Sequence, residues 1–238
     1  MFTDKIEAQD VPKMEPEYQD LLKRVLAIQA DCEIGGPHLY VKDILLNAPT
    51  PTEQLIVART AAEEIDHYRK FAKLAAELGV DVSYVLRWSN QKRYVEAFRG
   101  QISTWEDYAI FGFLIDRVGR YQLEEFMDSS YEPLNRILPV ILKEEEGHIA
   151  HGHSSTAALA RQDEAARWRI QEALNRWYSR ALDMFGNSGS HRSERYCHWG
   201  LKRRANEQAR QQYAEEVNPQ ILEMGLEVPD GVAGRHYF

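Results

Sequence analysis

The chain has 238 residues, of which 44% are hydrophobic and 28% are charged, and its formal net charge is −8 at pH 7. This length suits one domain with a sizeable core, and the acidic balance argues against nucleic acid as a partner. No apolar run is long enough for a membrane span, and the acidic start MFTDKIEAQD does not resemble a secretion signal. Two cysteines cannot build a disulfide framework, so we predict a cytoplasmic protein.

Apolar residues recur at helical spacing along the first third of the chain. A first helix carries the apolar stripe at residues 21–28 and is predicted to end near the Gly-Gly-Pro at 35–37. A second helix begins after Thr50, whose side chain and that of Glu53 form a capping box, and it ends at Gly79. Residues 81–101 are predicted to be irregular.

The same pattern returns in the second half of the chain. Ser103 and Glu106 form another capping box, which predicts a third helix that fades near residues 128–130. Further helices are predicted over residues 134–159, 164–185 and 193–217, with a loop at 186–191. Strand-like alternation is never sustained, so we predict an all-α fold.

Two Glu-x-x-His pairs lie on two of these helices. Glu64 and His67 belong to the second helix, and Glu145 and His148 belong to the fourth. Residues at i and i+3 share a helix face, so each pair can direct a carboxylate and an imidazole at one point. Such ligands suit iron or manganese, and ferritin-like di-metal proteins use two pairs of this kind. Because one such pair is expected by chance in a chain rich in Glu, the prediction rests on the presence of two.

The first and third helices would each supply one more carboxylate. Glu33 lies 31 residues before the Glu of the first pair, and Asp116 lies 29 residues before that of the second. Glu124 and Glu125 are nearer to the second pair, so similar depth in two hairpins favours Asp116. An ion pair between Asp116 and a neighbouring arginine is the alternative.

Other charged residues near the pairs have weaker roles in this interpretation. Glu63, Glu144 and Glu146 are expected either to surround the ligand set or to be solvated, and Glu144 is a candidate for orienting a histidine ligand. His151, one turn beyond His148, is a candidate for a position above the site. The basic residues 202–204 are expected to form a solvated helix face, with phosphate binding as the alternative.

Several stretches resemble the catalytic-subunit family of the ring 1,2-phenylacetyl-CoA epoxidases, which includes the benzoyl-CoA epoxidase oxygenase. They are CEIGG at 32–36, EEIDH at 63–67, WEDYAIFGFLID at 105–116, KEEEGH at 143–148 and GLKRRANEQARQQY at 200–213. The resemblance implies a ferritin-like four-helix bundle with additional C-terminal helices, in a single di-iron domain over residues 1–238. It also implies two iron ions held by Glu33, Glu64, His67, Asp116, Glu145 and His148.

The resemblance implies a monooxygenase that uses O₂ to epoxidise or hydroxylate an aromatic substrate, an acyl-CoA such as phenylacetyl-CoA. Glu64 and Glu145 would be the catalytic carboxylates that bridge the iron ions. No motif for flavin, NAD or an iron–sulfur cluster is present, so electrons are expected from a separate reductase. We also expect a homodimer or hetero-oligomer. The alternatives are a di-iron oxygenase of another pathway (a biosynthetic ring oxidase or an N-oxygenase) and a ferritin-like protein that binds iron or has a structural role.

Overall fold

Helices dominate the computed structural model, which describes residues 2–238. The α-helices are α1 (Pro16–Ile44), α2 (Pro51–Glu77), α3 (Trp105–Ile110), α4 (Asp116–Glu125), α5 (Glu132–Gln162), α6 (Glu164–Asp183), α7 (His191–His198) and α8 (Asn206–Glu223). A π-helical turn, Phe111–Ile115, joins α3 and α4 into one rod. Within residues 2–238 there is no β-strand, only an isolated bridge between Ile6 and Tyr131. The predicted all-α fold is therefore confirmed.

Four rods form the predicted ferritin-like bundle. Helices α1 and α2 pack as one hairpin, and the α3–α4 rod packs with α5 as the other. The long helices bury apolar side chains in two clusters, which lie towards opposite ends of the bundle. On α1, for example, Leu22 and Leu26 belong to one cluster and Tyr40 and Ile44 to the other. The polar layer described below lies between the two clusters, and α6, α7 and α8 are the additional C-terminal helices.

Capping side chains set the beginnings of several helices. Thr50 accepts a hydrogen bond from the backbone N–H of Glu53 at 3.1 Å, so the predicted start of α2 is confirmed. The second capping box lies one residue later than predicted, because Thr104 accepts from the N–H of Asp107 at 3.1 Å. The predicted helix at 134–159 corresponds to α5, and the one at 164–185 corresponds to α6.

The predicted end of the first helix near residues 35–37 is wrong, because α1 continues to Ile44. Pro37 lacks an N–H and removes one hydrogen bond from the helix. Tertiary packing outweighs this loss, since the glycines before it allow aromatic rings to lie against the helix backbone. A Cβ at Gly35 would lie 2.9 Å from Cδ1 of Phe98, so the ring fills the space that a side chain would need.

The single last helix predicted at 193–217 is also wrong, because α7 ends at His198 and α8 begins only at Asn206. Gly200 has φ +65° in the connection, where a left-handed residue turns the chain. The backbone N–H groups of residues 203 and 204 donate to Oε2 of Glu125 at 3.2 and 2.6 Å. The basic residues 202–204 therefore form a turn fixed to α4, and not a solvated helix face.

The long helices are amphipathic or mixed in character and not uniformly apolar. Over residues 2–238, the helices lack the combination of length and apolar character that crossing a bilayer requires.

Candidate metal centre

The six residues predicted as metal ligands lie at one level of the bundle. They are Glu33 on α1, Glu64 and His67 on α2, Asp116 at the start of α4, and Glu145 and His148 on α5. Five of them are buried, and Asp116, which is less completely buried, lines a small internal cavity of about 30 Å³. This cavity is lined by the four carboxylates of the set, which are Glu33, Glu64, Asp116 and Glu145.

The histidines face these carboxylates with their Nδ1 atoms. His67 Nδ1 lies 3.3 Å from Oε2 of Glu33 and 3.4 Å from Oε1 of Glu145. His148 Nδ1 lies 3.2 Å from Oε1 of Glu64 and 3.8 Å from Oε2 of Glu145. One ligand atom from each of Glu33, Glu64, His67 and Glu145 lies within 4.8 Å of all the others.

Two further carboxylates hold the histidines from the outside, each from the opposite helix. His67 on α2 contacts Glu144 of α5, with 2.8 Å between Nε2 and Oε2. His148 on α5 contacts Glu63 of α2, with 2.7 Å between Nε2 and Oε2. Because a carboxylate accepts, each Nε2–H donates, so Nδ1 is the ring atom that a neutral imidazole could offer to a metal ion in the interior.

Of these two outer carboxylates, Glu144 was a candidate for this task from the sequence, and Glu63 was predicted either to surround the ligand set or to be solvated. The signal for Glu63 was present, because both motifs read Glu-Glu-x-x-His. Glu63 and Glu144 each precede the motif's own Glu, so the two hairpins are equivalent in this respect as well.

The structure also decides two questions that the sequence left open, the partner of Asp116 and the position of His151. Asp116 makes no ion pair with its arginine neighbours, since both Arg117 and Arg120 bind Glu216 of α8. His151 lies away from the centre, because its Nε2 contacts Oε2 of Glu53 at 2.6 Å. His151 was only a candidate for a position above the site, and the structure does not place it there.

The donor set fits two divalent metal ions. Both Nδ1 atoms are buried, and neither has a hydrogen-bond partner among residues 2–238. A buried ring nitrogen without a hydrogen-bond partner is costly unless a ligand satisfies it. Four carboxylates around one internal cavity carry four negative charges when ionised, and two divalent cations would balance them. Carboxylate and imidazole ligands are those that iron and manganese accept.

Without metal, the centre holds protons instead. Burial, and then the charge of Glu145, raise the pKa of Glu64 well above its usual range. The same two causes raise the pKa of Asp116 to about 8. Burial alone would lower the pKa of His67, but the carboxylates of Glu145 and Glu33 outweigh it and raise the pKa to about 11. Metal binding must therefore displace protons.

The protons held by the metal-free centre predict that the metal-free and metal-loaded proteins differ increasingly in stability as the pH rises. Asp116 ionises in the unfolded chain near pH 3.8 but keeps its proton in the fold up to about pH 8. The folded state thus binds more protons, so the free energy of unfolding falls as pH rises through this window. The raised pKa of His67 acts in the same direction between pH 6.5 and about 11. Metal affinity should rise over the same pH range.

Unfolding temperatures measured from pH 6 to 9, once with EDTA and once with excess Co²⁺, check this prediction. We expect the two curves to diverge as the pH rises. An EDTA curve that climbs with pH, or a gap between the curves that stays constant, would contradict it.

The π-helical turn sets the position of Asp116. Gly112 of this turn and Gly152 of α5 bring the two backbones into contact, each one helical turn from a predicted ligand. A Cβ at Gly152 would lie 2.8 Å from Cα of Gly112, with other backbone atoms closer still. Asp116 and His148 are therefore held at the same level by a contact that was not predicted from the sequence.

A second cavity of about 250 Å³ lies beside the first. Apolar side chains line much of it, among them Tyr121, Phe126 and Phe185. Two cationic side chains also line it, those of Arg192 and Lys202. We call this space the outer cavity and the 30 Å³ space at the carboxylates the inner cavity.

Comparison with known proteins gives consistent matches over nearly the whole chain. The family described as phenylacetic acid catabolic protein matches residues 3–237. The chain is 30% identical over 229 residues to one of the subunits of 1,2-phenylacetyl-CoA epoxidase from Escherichia coli K12, in an alignment that covers 94% of this chain and 73% of that protein. It is 27% identical over 228 residues to benzoyl-CoA oxygenase component B of Aromatoleum evansii, covering 84% of this chain and 47% of that protein.

Proposed function

The chain belongs to the phenylacetic acid catabolic protein family, and from that premise we propose that it is a di-iron monooxygenase acting on an aromatic acyl-CoA. The family resemblance predicted from the motifs is confirmed. One observation carries the proposal: four carboxylates and two unpaired histidine Nδ1 atoms converge in the middle of the bundle. We place this centre in a single domain over residues 1–238.

The distances between the carboxylate oxygens and the histidine Nδ1 atoms support different roles for the carboxylates. Glu145 lies 3.4 Å from the Nδ1 of His67 and 3.8 Å from that of His148. Glu64 lies 4.0 and 3.2 Å from the same two atoms. Both would therefore be available to either of two iron ions, whereas Glu33 approaches His67 and would hold one ion. Asp116 would complete the coordination of the other ion.

The bound iron would supply reductive activation of O₂. The protein's own residues prepare the place for it. Glu63 and Glu144 hold the imidazole rings in one tautomer through their hydrogen bonds. Tyr40, Phe98 and Phe111 line the inner cavity and limit the access of water to it. Exclusion of water from the place of reaction would suppress side reactions.

The outer cavity is the proposed binding place of the substrate. Its apolar wall suits an aromatic acyl group, and Arg192 and Lys202 offer positive charge to the phosphates of a CoA moiety. Both relatives are named for aromatic CoA thioesters. Because each relative is also named as one part of a larger enzyme, we propose that this chain works in a multi-subunit oxygenase with a separate reductase.

Isotope incorporation tests the proposed reaction. Iron-loaded protein, together with any subunit that co-purifies with it, is mixed with a chemical reductant, ¹⁸O₂ and either phenylacetyl-CoA or benzoyl-CoA, and products are analysed by mass spectrometry. We expect one ¹⁸O atom in the acyl ring, at a yield that depends on iron. Iron oxidation without any oxygenated acyl-CoA, for either thioester, would contradict the proposal and favour simple iron binding.

A further inference from the structure

A thin partition separates the outer and inner cavities. Three side chains line both spaces: Gln29 of α1, Gln122 of α4, and Met184 just after α6. Any group that extends from the outer cavity towards the carboxylates must therefore contact these three residues. The partition lies where the proposed substrate would meet the proposed metal centre.

Gln29 is the member of the partition that is bonded to the centre. Its Nε2 donates to Oε1 of Glu33 at 2.6 Å, and only 4% of the residue is exposed. The two residues are four apart on α1, so they share a helix face. A short hydrogen bond to a buried carboxylate belongs to the stronger class of such bonds.

Gln122 has the same side chain in the same partition but a different partner. Its Nε2 donates to the backbone oxygen of Met184 at 3.1 Å. This bond fixes the partition to the main chain and leaves the carboxylates untouched. The two glutamines therefore form a matched pair, of which only Gln29 acts on a predicted metal ligand.

We propose that Gln29 is a positioning residue that couples occupancy of the outer cavity to the orientation of Glu33. This inference rests on the function proposed above, because Glu33 is taken as a ligand of one iron ion. A ligand that presses on the partition displaces the Gln29 amide, and the amide releases Oε1 of Glu33. The coordination around one metal ion then changes when substrate arrives.

Glu33 is well placed for this response. Among the carboxylates of the centre, Glu64 and Glu145 each approach both histidines, whereas Glu33 approaches only His67, at 3.3 Å. Its second oxygen is held by Gln29. Loss of a partner that orients a metal ligand typically weakens metal binding by about 10- to 100-fold.

Cobalt titration of three full-length proteins tests the inference without relying on catalysis. Co²⁺ is added stepwise to the parent protein, to Gln29→Met and to Gln122→Met. Metal binding is followed by visible absorption. Methionine keeps the length of glutamine but removes its donor. We expect two Co²⁺ per chain in the parent and in Gln122→Met, and an affinity about 10- to 100-fold lower for one of the two ions in Gln29→Met.

Phenylacetyl-CoA is then added to the cobalt-loaded proteins as a probe of the outer cavity. We expect the cobalt spectrum to change in the parent and in Gln122→Met, and to stay unchanged in Gln29→Met. Gln29→Asn is the second variant, used in case Gln29→Met folds poorly. It keeps the amide but shortens its reach by one methylene, so we expect it to show the same weaker cobalt binding and the same unchanged spectrum.

The outcomes separate this inference from the proposed function. A parent protein that binds no pair of Co²⁺ ions overturns the proposed metal centre and the inference with it. A parent that binds two ions, with Gln29→Met and Gln29→Asn matching it in affinity and in spectral response, overturns the role of Gln29 alone.

Discussion

The Glu64→Gln variant is expected to lose activity by on the order of 10³-fold while its metal-free form becomes more stable than the parent. Removing one ligand of a proposed metal pair withdraws several kcal/mol of transition-state stabilisation, and about 4 kcal/mol corresponds to this factor. The stability gain has a separate cause, which lies in the metal-free centre.

Glu64 is 8% exposed, and burial together with the neighbouring Glu145 raises its pKa well above the usual 4.5. At neutral pH the fold must either protonate this group or hold an unfavourable charge, and glutamine avoids both costs. We expect a gain of about 1–3 kcal/mol, which is about 2–4 °C in unfolding temperature for each kcal/mol.

Thermal unfolding in EDTA and turnover of the iron-loaded protein measure the two effects. Glu146→Gln is the matched control, because Glu146 is exposed on α5 and surface substitutions change stability by no more than about 0.5 kcal/mol. If Glu64→Gln destabilises the metal-free protein, the buried Glu64 carboxyl does not cost stability, and if the variant keeps parental turnover, Glu64 is not a ligand of the metal centre.

The Gly152→Ala variant is expected to lose about 3–5 kcal/mol of stability, although alanine is normally the better helix former. A methyl group there would lie 2.8 Å from Cα of Gly112, so the π-helical turn and α5 must move apart. Backbone atoms cannot yield as a flexible side chain does. The separation would also draw Asp116 away from His148 and weaken metal binding.

Gly147→Ala is the control for this prediction, because Gly147 lies on the same helix and a methyl group added there would have no heavy atom within 4 Å. It should gain about 0.5–1 kcal/mol. Unfolding by urea, with and without Co²⁺, compares the two variants. Equal midpoints for Gly152→Ala and Gly147→Ala would show that the close backbone contact does not exist.

Much of the fold followed from local patterns in the sequence. Thr50 and Glu53 set the start of α2 through a short-range hydrogen bond that their spacing alone indicates. The spacing within Glu64–His67 and Glu145–His148 placed each pair on one helix face, and the equal depth of two hairpins indicated Asp116. These inferences needed only helical periodicity.

The features missed in the sequence depend on contacts between distant segments. Helix α1 passes through Pro37 because Phe98 packs against Gly35, sixty-three residues away in the chain. The connection between α7 and α8 is set by backbone groups that donate to Glu125 of α4. Likewise, Glu63 holds a histidine of the opposite helix, whereas the sequence left open whether it does so or is solvated.

Anomalous diffraction from crystals grown with Fe²⁺ under anaerobic conditions tests the central claim most directly. We predict two iron peaks at the level of the inner cavity, both within bonding distance of the six side chains and next to the Nδ1 atoms of His67 and His148. The absence of iron from this layer, or iron bound only at surface carboxylates, would contradict the proposed di-iron centre.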